Sequence, residues 1–173
     1  MEKQLWHDSY DNGVPTEISI PPDATLNDFI KEACEKYSDR NAFCNFNVML
    51  SYPELDRKTE ALAAYFQSLG LGKGDRIAIQ LPNLLQTPIA IFAALRAGCI
   101  VVNTNPLYTS HEMLTQFKDS EVKAIIILEN FAWKLESIIT QTKIEHVIVT
   151  QVGDLLGPVK GGAINFALRY IRK

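Results

Sequence analysis

The sequence predicts an α/β fold: a mostly parallel sheet with flanking helices. Three observations carry that expectation. From Arg76 onward, short β-branched runs alternate with longer stretches of helical periodicity, the pattern of βαβ units with right-handed crossovers. Two of the short runs, Ile125-Ile126-Ile127-Leu128 and Val147-Ile148-Val149, lack polar alternation, as strands covered on both faces do. Gly70 and Gly98 stand where a helix must stop before the next strand begins.

In chain order, residues 1–24 read as an extended N-terminal arm, because Pro15, Pro21 and Pro22 oppose a helix. Residues 25–150 read as the α/β unit. Its first helix opens at Thr25, where Thr25 and Asp28 make a T-x-x-D cap and Leu26, Phe29, Ile30, Ala33 and Tyr37 share one face. Ala42–Leu50 reads as a hairpin around Asn45-Phe46-Asn47. Ser51 with Glu54 is a capping box, with Pro53 tolerated in the first turn. The stripe Leu55, Thr59, Leu62, Ala63, Phe66 and Leu69 follows, and Gly70 ends the helix.

Strands are then expected at Arg76–Leu81, Cys99–Val102, Lys123–Leu128 and His146–Thr150, with helices at about Leu84–Ala97, Ser110–Asp119 and Phe131–Gln141 between them. Residues 151–173 loosen through Gly153, Gly157, Pro158, Gly161 and Gly162 into an amphipathic helix, Ala163–Lys173. Ile164, Ala167, Leu168 and Ile171 share a face there, and with no stop signal after Arg172 and Lys173 the helix reads as cut off.

At 173 residues, 47% hydrophobic and 21% charged, the chain suits one globular domain or one lobe of a larger one, not a disordered segment. A net charge of −3 without a Lys/Arg stripe argues against a nucleic-acid partner. Cys34, Cys44 and Cys99 form no CxxC pair, so neither a zinc site nor a disulfide framework is expected, and a reducing compartment fits them. Met1–Tyr10 has no basic stretch followed by an apolar one, so no secretory signal is read there. The longest apolar run, Ile89–Leu95, is too short to span a bilayer. A cytoplasmic location is the expectation.

Motifs of chemistry are scarce. Gly70-Leu71-Gly72-Lys73-Gly74-Asp75 looks like a phosphate loop, but such a loop follows a strand and opens a helix. Here a helix precedes and a strand follows, and Lys73 is not followed by Ser or Thr, so a helix cap and turn is the reading. His7, His111 and His146 are isolated; His111-Glu112 lacks the second His of a zinc protease, and no G-x-S-x-G elbow occurs. Cys44 and Cys99 fall on expected strands and read as buried, inert thiols. Glu54, Asp56 and Glu60 crowd one helix start, where the macrodipole favours them.

The loop Asn103-Thr104-Asn105-Pro106-Leu107-Tyr108-Thr109 leaves the carboxyl end of an expected parallel strand, where ligand crevices of open α/β sheets form. Its candidate crevice residues are Asn103, Asn105, Pro106, Tyr108 and Thr109. Spacing alone favours a plainer reading: Asn side chains that mimic turns, and Thr109 or Ser110 capping the next helix. No residue is expected to be catalytic or to bind a metal.

That loop is also where a resemblance enters. Gly70-Leu71-Gly72-Lys73-Gly74-Asp75-Arg76 through Leu81-Pro82-Asn83, Arg96-Ala97-Gly98-Cys99-Ile100-Val101-Val102-Asn103 into Asn105-Pro106-Leu107-Tyr108-Thr109, and Ser51-Tyr52-Pro53-Glu54-Leu55 resemble the adenylate-forming, AMP-binding superfamily. Leu81-Pro82-Asn83-Leu84-Leu85-Gln86, Val14-Pro15-Thr16-Glu17-Ile18 and the tail from Lys160-Gly161 to Tyr170-Ile171 are similar to its bacterial long-chain fatty acid–CoA ligases. The resemblance implies the first subdomain of the large N-terminal domain of such an enzyme. It also implies a reaction in which a fatty acid carboxylate attacks the α-phosphorus of ATP and CoA thiol then displaces AMP.

For the parent, the resemblance implies ATP, Mg²⁺ and CoA; for this chain alone, no bound cofactor. The family's Ser/Thr/Gly-rich phosphate loop with its Lys has no counterpart among these residues, nor do its ribose aspartate and C-terminal lysine, so the chain by itself is expected to be inactive. Its implied partners are the rest of the ligase domain, a second copy through the N-terminal arm, and a membrane touched peripherally at its inner face. For the last, Ile164, Phe166, Leu168, Tyr170 and Ile171 with Arg169, Arg172 and Lys173 can form a basic interfacial helix, although such segments are weak signals and the favoured reading is a helix that packs on the rest of the domain. The alternative to a ligase piece is a non-enzymatic module that binds acyl chains or a protein.

Overall fold

In the computed structural model, residues 4–170 are described. They form, in order, α1 (Leu26–Lys36), a hairpin of β1 (Asn41–Asn45) and β2 (Val48–Ser51), α2 (Tyr52–Ser68), β3 (Arg76–Gln80), α3 (Gln86–Arg96), β4 (Ile100–Asn103), α4 (Ser110–Asp119), β5 (Ala124–Leu128), α5 (Ala132–Glu136), β6 (His146–Thr150) and α6 (Pro158–Tyr170). β4, β3, β5 and β6 lie side by side in that order as a parallel sheet.

Side-chain caps fix where three helices begin. Thr25, Ser51 and Thr109 each accept from the N–H three residues on, and Asp28, Glu54 and Glu112 each accept the cap's own N–H in return. These are reciprocal boxes that satisfy two otherwise orphan donors apiece. The hairpin turns on Phe46 and Asn47, with φ of 48° and 57°, the pair of left-handed residues that matches strand twist.

The core has two layers of helix around one sheet. Ile77 and Ile79 of β3, with Ala124, Ile126 and Leu128 of β5, pack under Ala63 and Phe66 of α2 and Ala90, Ala93, Ala94 of α3. Ala78, Ile125 and Ile127 face the other way, onto Met113 and Phe117 of α4 and Leu135 of α5. β5 is therefore buried at all five positions, which explains its unbroken apolar run. Each large side chain so buried contributes about 1.5–3 kcal/mol.

Several expectations need correction. The N-terminal arm contains a 3-10 helix, Leu5–Ser9, upstream of the prolines that oppose a longer one. On α1, Leu26 and Phe29 are exposed, while Cys34 is the buried residue. The helix docks on the side facing α2 and α3, which the apolar spacing alone does not specify. Phe131–Gln141 is not one helix but a 3-10 turn, the five-residue α5 and a second 3-10 turn. The hydroxyls of Ser110 and Ser137 take the Lys134 carbonyl at 3.1 and 2.8 Å. The Ile138 N–H then bonds Leu135, three residues back, and the helix tightens out of register.

β6 is an edge strand with alternating exposure, and Val147 and Val149 face outward, because the α4 and α5 core covers β3, β5 and Val102 of β4 but takes in no residue of β6. The last helix starts at Pro158, not Ala163, and takes in Gly161 and Gly162. Proline is favoured at a first helical position. Gly161 serves a close approach: a Cβ there would sit on the Gly153 carbonyl oxygen, and a Cβ on Gly153 would meet the Gly161 carbonyl. Asn165 completes the contact, accepting the Gly153 N–H at 2.7 Å. Ile171, Arg172 and Lys173 lie outside the described residues.

Gly161→Ala, a change that stabilises an ordinary helix, is expected to destabilise this chain by about 1–3 kcal/mol through forced overpacking; urea unfolding reads it directly. A second expectation concerns pH. The Glu54 and Glu112 carboxyls are held below their ordinary range, first by the main-chain N–H of Ser51 and of Thr109 and then by the cap hydroxyls. Their folded pKa lies below the unfolded one, so the contribution is complete above the unfolded pKa and is lost as pH falls through the folded value. Unfolding midpoints are expected to drop between pH 6 and acid, and Glu112→Gln is expected to flatten part of that drop.

Candidate functional site at the carboxyl edge of the sheet

β3 and β5 are neighbours whose onward connections leave to opposite faces: α3 on one side, α5 on the other. Such a switch point opens a crevice at the carboxyl ends of the two strands. Four loops crowd this edge: residues 81–85 after β3, 104–109 after β4, 129–131 after β5 and 151–157 after β6.

The five candidate residues lie together in one continuous turn after β4. Asn103 ends the strand, and its carbonyl accepts from Gln116 Nε2 at 3.1 Å. Asn105 Oδ1 accepts the Leu107 N–H at 2.9 Å, and its carbonyl accepts the Tyr108 N–H at 3.1 Å, so the side chain does mimic a turn. Pro106 is half-buried. Tyr108 packs on the α4–α5 core, and Thr109 caps α4. Local geometry thus follows the plainer reading of this loop, which lies at the carboxyl edge of the sheet.

Sequence inspection missed the residues that tie the edge together. Gln80, at the last position of β3, is fully buried and donates Nε2 to the Asn105 carbonyl at 3.2 Å. Lys134 donates Nζ to the Tyr108 carbonyl at 2.8 Å and lies over the Phe131 and Trp133 rings. Across the edge, Gln86 Nε2 reaches the Gln151 carbonyl at 2.8 Å, Gln151 Nε2 reaches Glu129 at 2.6 Å, and Arg169 of α6 pairs with Glu129. Only Gln80 left a trace in the sequence: a polar residue following the apolar run Ile77-Ala78-Ile79, on a face that must be buried.

Other features fall elsewhere. Gly70–Asp75 is a helix end and turn entering the amino end of β3, with Gly70 at φ 78° and Gly72 N–H held by Asp75 at 2.9 Å. It is on the opposite edge from the crevice. Cys44 is exposed, contrary to expectation, because β1 belongs to a two-stranded hairpin and not to the covered sheet. Cys34 and Cys99 are buried, and desolvation pushes both thiols up. Asp56 is drawn to Arg96 of α3, a tertiary pairing beyond any helix-dipole role. A groove of 460 Å³ lies between the hairpin and α3, lined chiefly by Phe43, Leu84, Leu85, Pro88, Ile91 and Phe92.

Among the described residues, no group of three or more His, Cys, Asp or Glu is placed to hold a metal ion, and no helix is long and apolar enough to cross a membrane.

Comparison with known proteins gives this geometry a family. Residues 30–169 match the model described as AMP-binding enzyme. The chain is 44% identical over 172 residues to a long-chain-fatty-acid–CoA ligase of Escherichia coli O6:H1, covering 99% of this chain and 31% of that protein. It is 45% identical over 174 positions to the enzyme of the same name from Yersinia pestis, covering 100% and 31%. The chain thus spans about a third of the length of these relatives. In three dimensions it matches the crystal structure of a long-chain-fatty-acid–CoA ligase from Archaeoglobus fulgidus with a TM-score of 0.69 at 23% identity, covering 87% of this chain and 32% of that one, a likeness of fold. With the sheet, its switch point and the match over residues 30–169 together, the chain belongs to the AMP-binding enzyme family.

Proposed function

We propose that this chain is part of an ATP-dependent long-chain fatty acid–CoA ligase, in which it builds one wall of the crevice where acyl group and nucleotide meet. The observation that supports this best is the 44–45% identity over essentially the whole chain to proteins named for that activity. Adenylation suits the substrate, because a carboxylate is a poor electrophile and AMP a good leaving group. The carboxyl-edge loops contribute shape and main-chain polarity. Among the described residues no group of three or more His, Cys, Asp or Glu is placed to hold a metal ion, and no step of the reaction is assigned to this chain's residues.

On this reading the chain alone performs neither half-reaction. Two surfaces suit partners of the longer protein. The N-terminal arm exposes Leu5, Trp6, Ile18 and Ile20, which suits contact with a second copy. The outward side of α6 carries Val159, Phe166 and Tyr170, at spacings that share a face, which suits a membrane surface. Ile164 and Leu168 of the face read from sequence are instead half-buried.

Titration of the chain with a long-chain acyl-adenylate analogue is expected to give weak saturable binding, and ATP–Mg²⁺ none. Binding of neither removes the wall reading, and a preference for a short aromatic acyl-adenylate removes the long-chain reading. Pyrophosphate release from ATP with a long-chain fatty acid is expected to be absent, and its appearance would show the chain active by itself. Flotation with anionic vesicles tests the membrane contact: a chain that stays in the soluble fraction, like a Phe166→Ser variant, removes it.

A further inference from the structure

Three buried side-chain acceptors among the described residues meet no donor of the protein: Asn45 Oδ1, Gln80 Oε1 and Gln116 Oε1. They share one feature. Each amide spends its NH₂ on a main-chain carbonyl at the carboxyl edge, in a loop or at the last residue of β4. Asn45 reaches Asn83 at 3.1 Å, Gln80 reaches Asn105 at 3.2 Å, and Gln116 reaches Asn103 at 3.1 Å. The orientation is fixed, because a flipped amide would set oxygen against carbonyl oxygen. The three come from different elements: the hairpin, the end of β3 and the middle of α4. A group buried without a partner is costly, so an apolar side chain would serve the core better at these places, Gln80 above all, since it is fully buried.

We propose that Asn45, Gln80 and Gln116 are positioning residues, a frame of three amides that holds the loops after β3 and β4 in the shape of the crevice wall. That the framed edge is a ligand crevice rests on the function proposed above. The loop after β4 depends on the frame most, since Gln116 holds it where it starts and Gln80 at its centre. Its own N–H bonds are Thr104 to Ile79 at 3.1 Å, Leu107 to Asn105 Oδ1 at 2.9 Å and Tyr108 to Asn105 at 3.1 Å; the last shares the carbonyl that Gln80 holds, and the other two involve residues next to the carbonyls that Gln80 and Gln116 hold.

Gln80→Met and Gln116→Met separate positioning from simple stability, because each removes the unpaired acceptor together with the donor. Hydrogen exchange on this chain is the measurement. Both variants are expected to keep the thermal midpoint within about 2 °C while exchange at Thr104, Leu107 and Tyr108 rises by about tenfold or more, with β5 and α4 unchanged. Unchanged loop exchange in both variants would overturn the frame; so would a rise spread evenly through β5 and α4, which marks a structural role. Gln116 is only half-buried, so its variant reports even where Gln80→Met fails to fold. Exchange is read without ligand, so a chain that binds no acyl-adenylate analogue overturns the crevice reading and leaves the frame standing.

Discussion

Everything in this molecule depends on β5 being covered on both faces. A parallel strand has no two-residue way back to its neighbour, so each connection must cross a face and bring a helix with it. Ala124 to Leu128 can be buried at every position only if one helical layer lies above and another below. α2 and α3 supply the first, α4 and α5 the second. Phe66, Met113 and Phe117, each fully buried, are what those helices deliver into the two layers.

The same requirement shapes the carboxyl edge of the sheet. To cover both faces, the connections after β3 and β5 must diverge, and divergence leaves a gap at the carboxyl ends of the two strands. Main-chain polar groups in the loops around that gap need partners. Gln80, Gln116, Lys134 and Gln86 supply them from four different elements. Side chains here satisfy carbonyls that no strand or helix can reach. The polar groups of the edge are thus a consequence of the topology, and membership in the AMP-binding enzyme family fits a site assembled from loops on a rigid sheet.

Local chemistry was legible and non-local chemistry was not. Thr25–Asp28, Ser51–Glu54 and the turn at Phe46-Asn47 could be placed because each is closed within four residues of chain. The run at 125–128 announced a doubly covered strand, yet the similar run at 147–149 became an edge strand with outward valines. Composition says what a strand tolerates, not how far the neighbouring helices reach. The helix expected over 131–141 failed on two hydroxyls, one of them from Ser110, whose approach to Lys134 no spacing rule contains. Gly161 read as a breaker because its partner in close contact, Gly153, is visible only once the chain has folded back.

The sequence by itself therefore determined the order and kind of most elements, the start points of capped helices and the loop 103–109 as the place to look, since propensity, capping and periodicity act over a few residues. Only the tertiary structure decided which strands lie inside, where α1 turns its apolar side, and which side chains grip the crevice loops. Those outcomes rest on contacts between residues 13 or more positions apart, such as Gln116 with Asn103, Gln80 with Asn105 and Asn27 of α1 with Leu95, and the free energy of such contacts exists only after the layers have closed.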